Sequence, residues 1–185
     1  LIDKRDSTGK HENNYHGNFV PQIPNQLIRR YTKKGDTVLE LFAGSGTTLF
    51  ESEKLERNYV GFDINQQMID YVKSKMSDTD KIHFAINNCD VTDGEKMKSL
   101  WNQSMVWSDR GTADFLIAHP PYLDIVKFTD QPEDLSNVPD LNLFIDKFVQ
   151  AMENGLSLLE KHKYFAIVVG DVYKKSEVIP LGFYL

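Results

Sequence analysis

Thr37-Val38-Leu39-Glu40-Leu41-Phe42-Ala43-Gly44-Ser45-Gly46-Thr47-Thr48 decides how this chain folds. The first five residues are a short β-branched and apolar run, the signature of a buried strand. The run ends in a loop with two glycines, where the backbone adopts conformations that other residues resist. A helix is expected over Leu49 to Leu55. Strand, glycine turn and helix in this order form the first half of a βαβ unit.

Working outward, the same alternation repeats. Tyr59-Val60-Gly61-Phe62-Asp63 reads as a second strand, and Gln66 to Lys75 as a helix with Met68, Ile69 and Val72 inward. Lys81 to Ile86 reads as a third strand, and Asn88-Cys89-Asp90-Val91 as the loop after it. A helix over 93–107 carries Met97, Leu100, Trp101 and Met105. Ala113 to Ala118 is a fourth strand, delivering His119-Pro120-Pro121-Tyr122. A polar loop over 127–140 is expected to be an ordinary solvated surface loop; the alternative is a mobile loop over 123–140 that covers a pocket, with Lys127 and Phe128 as candidates for nucleic-acid contact. Leu141 to Leu159 is a long helix, and Lys163 to Gly170 a fifth strand.

Upstream, Phe19 to Pro24 should be extended, because proline turns its preceding residue away from helix. Pro24 then opens a helix with Leu27, Ile28 and Tyr31 on one face, ended by the turn Lys33-Lys34-Gly35-Asp36. Residues 1–18 read as a loosely structured lead-in, with His11 and His16 as plain surface residues, and 19–185 as one domain. The predicted fold is an α/β doubly wound, mostly parallel sheet with helices on both faces. In such sheets ligands sit beyond the carboxyl ends of the strands. The glycine loop, Asp63, Asp90 and the His-Pro-Pro-Tyr corner should therefore share one rim.

Composition narrows the function. The 185 residues carry 21 Lys and Arg against 27 Asp and Glu, a net charge of −6. That counts against a complete protein gripping duplex nucleic acid by itself, which usually shows a basic face. No apolar run reaches the ~20 residues of a membrane helix. The start, Leu1-Ile2-Asp3-Lys4-Arg5, has no apolar leader segment. The single Cys89 excludes an internal disulfide framework and fits a reducing cytoplasm, and no metal cluster is expected. The chain begins without Met, and only Asp171 to Leu185 follow the fifth strand. A truncated or split protein is therefore expected.

The rim residues suggest chemistry. Gly-x-Gly-Thr-Thr lacks both the lysine of a nucleotide P-loop and the third glycine of the dinucleotide fingerprint. Glu40 beside it would repel a pyrophosphate and suit a ligand bearing an ammonium. Asp63 ends its strand where an acid accepts from ribose hydroxyls, although a helix N-cap is the other use of that position. Asp90 stands where it can accept from an adenine amino group, or simply form a turn. Two prolines after a strand take the chain rigidly out of the ladder and leave the carbonyls of His119 and Pro120 as acceptors. Tyr122 adds a flat apolar face with a polar tip.

This set resembles the S-adenosylmethionine-dependent DNA amino-methyltransferases, which methylate adenine N6 or cytosine N4, over roughly residues 16–170. The resemblance implies that Glu40, Phe42, Ala43, Gly44, Ser45, Gly46, Thr47 and Thr48 bind the methionine part of S-adenosylmethionine. Asp63 with Ile64 would take the ribose, and Asp90 with Val91 the adenine. Phe19, Val20 and Pro21 would close over the methionine end. His119, Pro120, Pro121 and Tyr122 would hold the target amine of a base flipped out of duplex DNA. The family usually has Asp, Asn or Ser where this chain has His119. A neutral imidazole accepts one hydrogen bond, so activity should fall as His119 gains a proton, and a profile flat between about pH 5 and 8 would count against that role. No target-recognition domain is evident, so a separate or missing one is expected; the family's closing antiparallel hairpin is not complete in the sequence either. The rival readings are an RNA amino-methyltransferase acting on guanine N2 or similar, a non-catalytic cofactor-fold subunit, and a nicotinamide oxidoreductase.

Overall fold

The computed structural model describes residues 4–12, 17–174 and 176–185. Its elements are α1 Gln22–Tyr31, β1 Thr37–Glu40, α2 Thr47–Lys54, β2 Asn58–Asp63, α3 Gln66–Lys75, β3 Phe84–Asn88, α4 Gly94–Ser104, β4 Ala113–Ala118, α5 Leu141–Leu156, β5 Leu159–Ile167, β6 Val172–Lys174 and β7 Glu177–Ile179. Strands β1 to β5 form one sheet in the order β3-β2-β1-β4-β5. Every pairing in it is parallel. This is the expected doubly wound sheet.

Alternation of side chains across the strands builds two cores. Val38, Tyr59, Phe115 and Ile117 point into one, with Ile28, Leu49, Ile69 and Val72 from α1, α2 and α3. Leu39, Val60, Phe62 and Leu116 point into the other, with Met97 and Trp101 from α4 and Phe144 and Phe148 from α5. Because β1 and β4 are neighbours and the order reverses between them, the chain leaves their carboxyl ends in different directions. A crevice opens at that switch point.

The opposite rim is tied by one acid. Asp114, fully buried, accepts from the Thr37 backbone N–H at 3.0 Å and from both Arg110 terminal nitrogens at 3.0 and 2.9 Å. Lys163 Nζ lies 3.0 Å from its Oδ1. The starts of β1 and β4 are thereby joined to the middle of β5, and these partners hold the Asp114 pKa below the ordinary carboxylate value.

Several boundaries differ from expectation. Helix α1 begins at Gln22, with Pro24 in its first turn; the amide that proline lacks would have had no helical acceptor there. The extended stretch thus ends at Val20, and the Ile23 N–H bonds back to its carbonyl at 3.0 Å. Strand β3 starts at Phe84, not Lys81, because the His83 N–H is taken by the Asn58 side chain. Strand β5 runs over Leu159–Ile167 and α5 stops at Leu156. An antiparallel hairpin, β6 with β7, does follow, as a separate two-stranded sheet.

The described part of the lead-in has neither helix nor strand, yet it is anchored. Lys10 pairs with Glu53 at 2.7 Å, and Asp6 with Lys54 at 3.2 Å. His11 is not a plain surface residue: its side chain is 6 % exposed and lies 2.7 Å from the buried Glu51. His16 and the first three residues lie outside the described residues. Among the described residues no helix is long and apolar enough to cross a membrane.

Candidate active site

The crevice holds a cavity of about 320 Å³. Phe42, Ala43, Gly44, Ser45 and Thr47 line it from the glycine loop, Asp63 and Ile64 from the end of β2, and Asp90 and Val91 from beyond β3. Phe19 lines it from the lead-in side, and His119, Pro120, Pro121 and Tyr122 from the end of β4. The glycine loop and the diproline corner therefore face one space.

Asp63 organises the loop. Its Oδ2 accepts from the Gly44 N–H at 2.6 Å and its Oδ1 from the Asn65 N–H at 2.7 Å. Gly44 has φ +48°, a left-handed conformation that glycine adopts without a Cβ penalty. Burial raises the Asp63 pKa to about 6 despite these bonds. The N-cap of α3 is Asn65, whose side chain accepts from Gln67 and Met68, so Asp63 has no capping duty. A carboxylate offers about four acceptor positions. Two are used here, leaving capacity for a pair of hydroxyls. Asp90 accepts from the N–H and hydroxyl of Thr92 through Oδ1, at 2.9 and 2.8 Å. It makes a turn, and it also lines the cavity.

Five of the expected binding residues lie elsewhere. Glu40 is 1 % exposed, and its two oxygens take the hydroxyls of Thr48 at 2.6 Å and Tyr59 at 2.5 Å. Burial pushes its pKa to about 8. It sits beneath the floor, largely protonated at neutral pH, and so gives a ligand ammonium no direct partner. Thr48 is buried with it. Gly46, at φ +83°, caps α2 beneath Val72: a Cβ there would lie 2.9 Å from Val72 Cγ2. Packing therefore accounts for Gly46. Pro21 is the N-cap of α1 and borders a separate depression, and Val20 does not line the cavity.

At the corner, His119 Nε2 is 3.1 Å from the Tyr122 hydroxyl, and the Phe19 ring lies 4.5 Å from the imidazole, centroid to centroid. Gly170 packs against the same tyrosine, where a Cβ would lie 3.5 Å from Cε2. Burial lowers the His119 pKa to about 4. The expected loss of activity on protonation therefore moves below the window of about pH 5 to 8, and a flat profile there no longer speaks against this residue. Leu123, next in the chain, is held at φ +53° and 1 % exposed, so the turn that presents Tyr122 is fixed by packing.

The cavity also takes Gly17, Asn65, Cys89, Ile125, Val126, Glu133, Asp134 and Leu135, which were not expected there, together with Asn18 and Leu41 from the two cofactor motifs and Phe128, expected as a nucleic-acid contact. Asn65 carried a signal, since Asn before a helical run is a favoured cap. The polar sequence after Leu123 favoured a solvated loop over a cover for the pocket. In the fold, Asp134, Leu135, Ser136 and Val138 are buried, so the 127–140 loop is not simply solvated. Burial raises the Cys89 pKa to about 11, which makes it a poor nucleophile. The lining holds four carboxylates, Asp63, Asp90, Glu133 and Asp134, and neither Lys nor Arg among the described residues. Such a field disfavours a phosphate-bearing ligand and favours a cation.

Comparison with known proteins supports this picture. Residues 2–74 match the family described as DNA methylase. The Type II methyltransferase M.MjaI of Methanocaldococcus jannaschii is 38 % identical over 58 residues, 31 % of this chain and 19 % of that protein. M.BamHI of Bacillus amyloliquefaciens is 40 % identical over 60 residues, 32 % of this chain and 14 % of that protein. The chain thus matches under a fifth of the length of these relatives. Among solved structures, SMU.1697c of Streptococcus mutans superposes with a TM-score of 0.52 at 14 % identity, covering 79 % of this chain and 69 % of that one. By motifs, sheet order and these matches, the chain resembles the catalytic domain of the DNA amino-methyltransferases and is built on the Rossmann-like class I methyltransferase fold.

Proposed function

We propose that this chain binds S-adenosylmethionine in the crevice and transfers its methyl group to the exocyclic amine of a base in duplex DNA, adenine N6 or cytosine N4. The observation that carries the reading is the cavity itself: four carboxylates and, among the described residues, no Lys or Arg, bounded by the glycine loop on one side and the diproline corner on the other. A solved neighbour on the same fold, SMU.1697c, is a complex with SAH. The matched relatives are Type II methyltransferases.

The cofactor supplies an electrophilic methyl on a sulfonium when bound. Asp63 accepts the ribose hydroxyls with its remaining lone pairs, and the carboxylate of Asp90 accepts the adenine amine. The glycine loop packs against the methionine part through Phe42 to Ser45, and Phe19 closes that end. The target nucleotide leaves the duplex, because its amine is otherwise inside the stack. The base stacks on Tyr122. In this reading the Tyr122 hydroxyl donates to His119 Nε2. That occupies the acceptor nitrogen of His119. The amine hydrogens would then hydrogen-bond to the backbone carbonyls of His119 and Pro120, whose fixed dipoles favour the charge that develops on nitrogen; the N–C bond would form as the C–S bond breaks, and the proton shed by the methylated nitrogen would pass to water. Recognition of the DNA sequence falls, in this reading, to a separate target-recognition domain, and the setting is the cytoplasm.

The test has two parts. Calorimetry with S-adenosylhomocysteine should show binding by the chain, weakened at least about tenfold by Asp63→Ala. Nucleoside mass spectrometry after incubation with labelled cofactor and either duplex DNA or transfer RNA should show label on a DNA amine. Label on RNA alone, or on neither with cofactor bound, overturns the proposal.

A further inference from the structure

The loop after the diproline corner is not used by the chemistry just described, yet it is built as a fixed part. Asp134 accepts from the Ser136 N–H at 2.8 Å and the Thr129 hydroxyl at 2.7 Å. The Ser136 hydroxyl accepts from the Phe128 N–H at 3.1 Å. These bonds within the loop fix its local shape.

Its outward bonds run to the far side of the cavity. Gln131 Nε2 donates to the Ile64 carbonyl at 2.9 Å, and Asn65 Nδ2 to the Phe128 carbonyl at 3.5 Å. Ile64 and Asn65 directly follow Asp63, the acid on the ribose side. The loop therefore leaves Tyr122 on the target side and is pinned beside Asp63. Between these ends, the Phe128 ring meets Gly17 so closely that a Cβ on Gly17 would lie 2.9 Å from Phe128 Cζ. Phe128 also lines the cavity.

We infer that Phe128 roofs the nucleoside half of the bound cofactor and that Gln131, through the Ile64 carbonyl, is the positioning residue that holds this roof in place. The inference rests on the proposed cofactor reading. It moves Phe128 from a nucleic-acid contact to a cofactor contact. A ring over the ribose keeps water from the hydrogen bonds at Asp63, which are stronger when dry.

Calorimetry on the whole 185-residue chain, with S-adenosylhomocysteine and with adenosine as a fragment, tests it. Phe128→Ala should weaken both ligands by the same factor, about tenfold. Gln131→Ala should weaken both about threefold while the melting temperature of the unliganded chain stays put. Gln131 is exposed, so this variant keeps the test alive if Phe128→Ala fails to fold. Loss confined to S-adenosylhomocysteine puts the ring over the methionine half and overturns the inference, as does unchanged affinity for both ligands. If the wild-type chain binds neither ligand, the cofactor reading itself falls, and the roof with it.

Discussion

His119 and Tyr122 are coupled: Nε2 lies 3.1 Å from the phenol oxygen, and the rings meet edge to face at 84°. The imidazole therefore positions the aromatic face that a substrate base would stack on. It does so as a neutral group, because burial holds its pKa near 4. Catalysis should consequently be insensitive to His119 between about pH 5 and 8 and should fail only as pH approaches 4. Stability follows the same group. The folded pKa lies below the unfolded value of 6.5, so the unfolded chain takes the proton first and folding weakens as pH falls from 6.5 toward 4. In urea unfolding at about pH 7 and 4.5, wild type should lose more stability than His119→Asn. Equal losses would show that the imidazole is not the buried neutral group described.

Glu40 makes the opposite prediction. Its folded pKa of about 8 lies above the ordinary 4.5, so the folded chain holds the extra proton. The stability this contributes is complete below 4.5 and is lost as pH rises through 8. Glu40→Gln, which keeps the shape without the ionisation, should gain on wild type as pH is raised from about 5 to 8.5. A pH-independent difference in denaturant midpoint would count against a protonated Glu40. Cofactor affinity at neutral pH should change little, since Glu40 lies outside the cavity.

Gly46 and Gly35 separate backbone strain from crowding. Both have left-handed φ, +83° and +84°. At Gly35 a Cβ meets nothing within 4 Å, whereas at Gly46 it meets Val72 at 2.9 and 3.1 Å and Phe50 at 3.2 Å. Gly35→Ala should cost about 1 kcal/mol from conformation alone. Gly46→Ala should cost about 1–3 kcal/mol more, from overpacking between α2 and α3. Thermal melts of the two variants settle the difference; equal costs would mean that Val72 yields freely.

Asp114 is the joint of the rim opposite the cavity. Asp114→Asn keeps the bond from the Thr37 N–H but leaves Arg110 and Lys163 without their charge partner. The loss should be about 2–4 kcal/mol, because the carboxylate is fully buried and its removal breaks a shared network. It should appear in chemical denaturation at neutral pH. The gap should narrow in acid, where wild type protonates Asp114 as well; the folded pKa is lowered, so this stability is lost as pH falls through it. A gap that stays constant in acid would show that the charge is not what holds the rim.

The doubly wound sheet, the common rim and the diproline corner were legible in the chain because they rest on local rules. Strand and helix periods, glycine and proline geometry, and the parallel crossover together place strand ends on one side whatever the side chains do later. Asp63 was legible for the same reason, as the residue that terminates β2. Which neighbour a side chain meets is set by distant residues, and only the folded chain decided it. Glu40 turns away from the cavity because Thr48 and Tyr59 bracket it under the loop. His119 faces the Tyr122 hydroxyl because the corner folds back on itself. A polar stretch, Thr129 to Asn137, becomes a wall because its side chains bond to one another and to the carbonyl of Ile64, a partner far away in the chain that no local pattern could name.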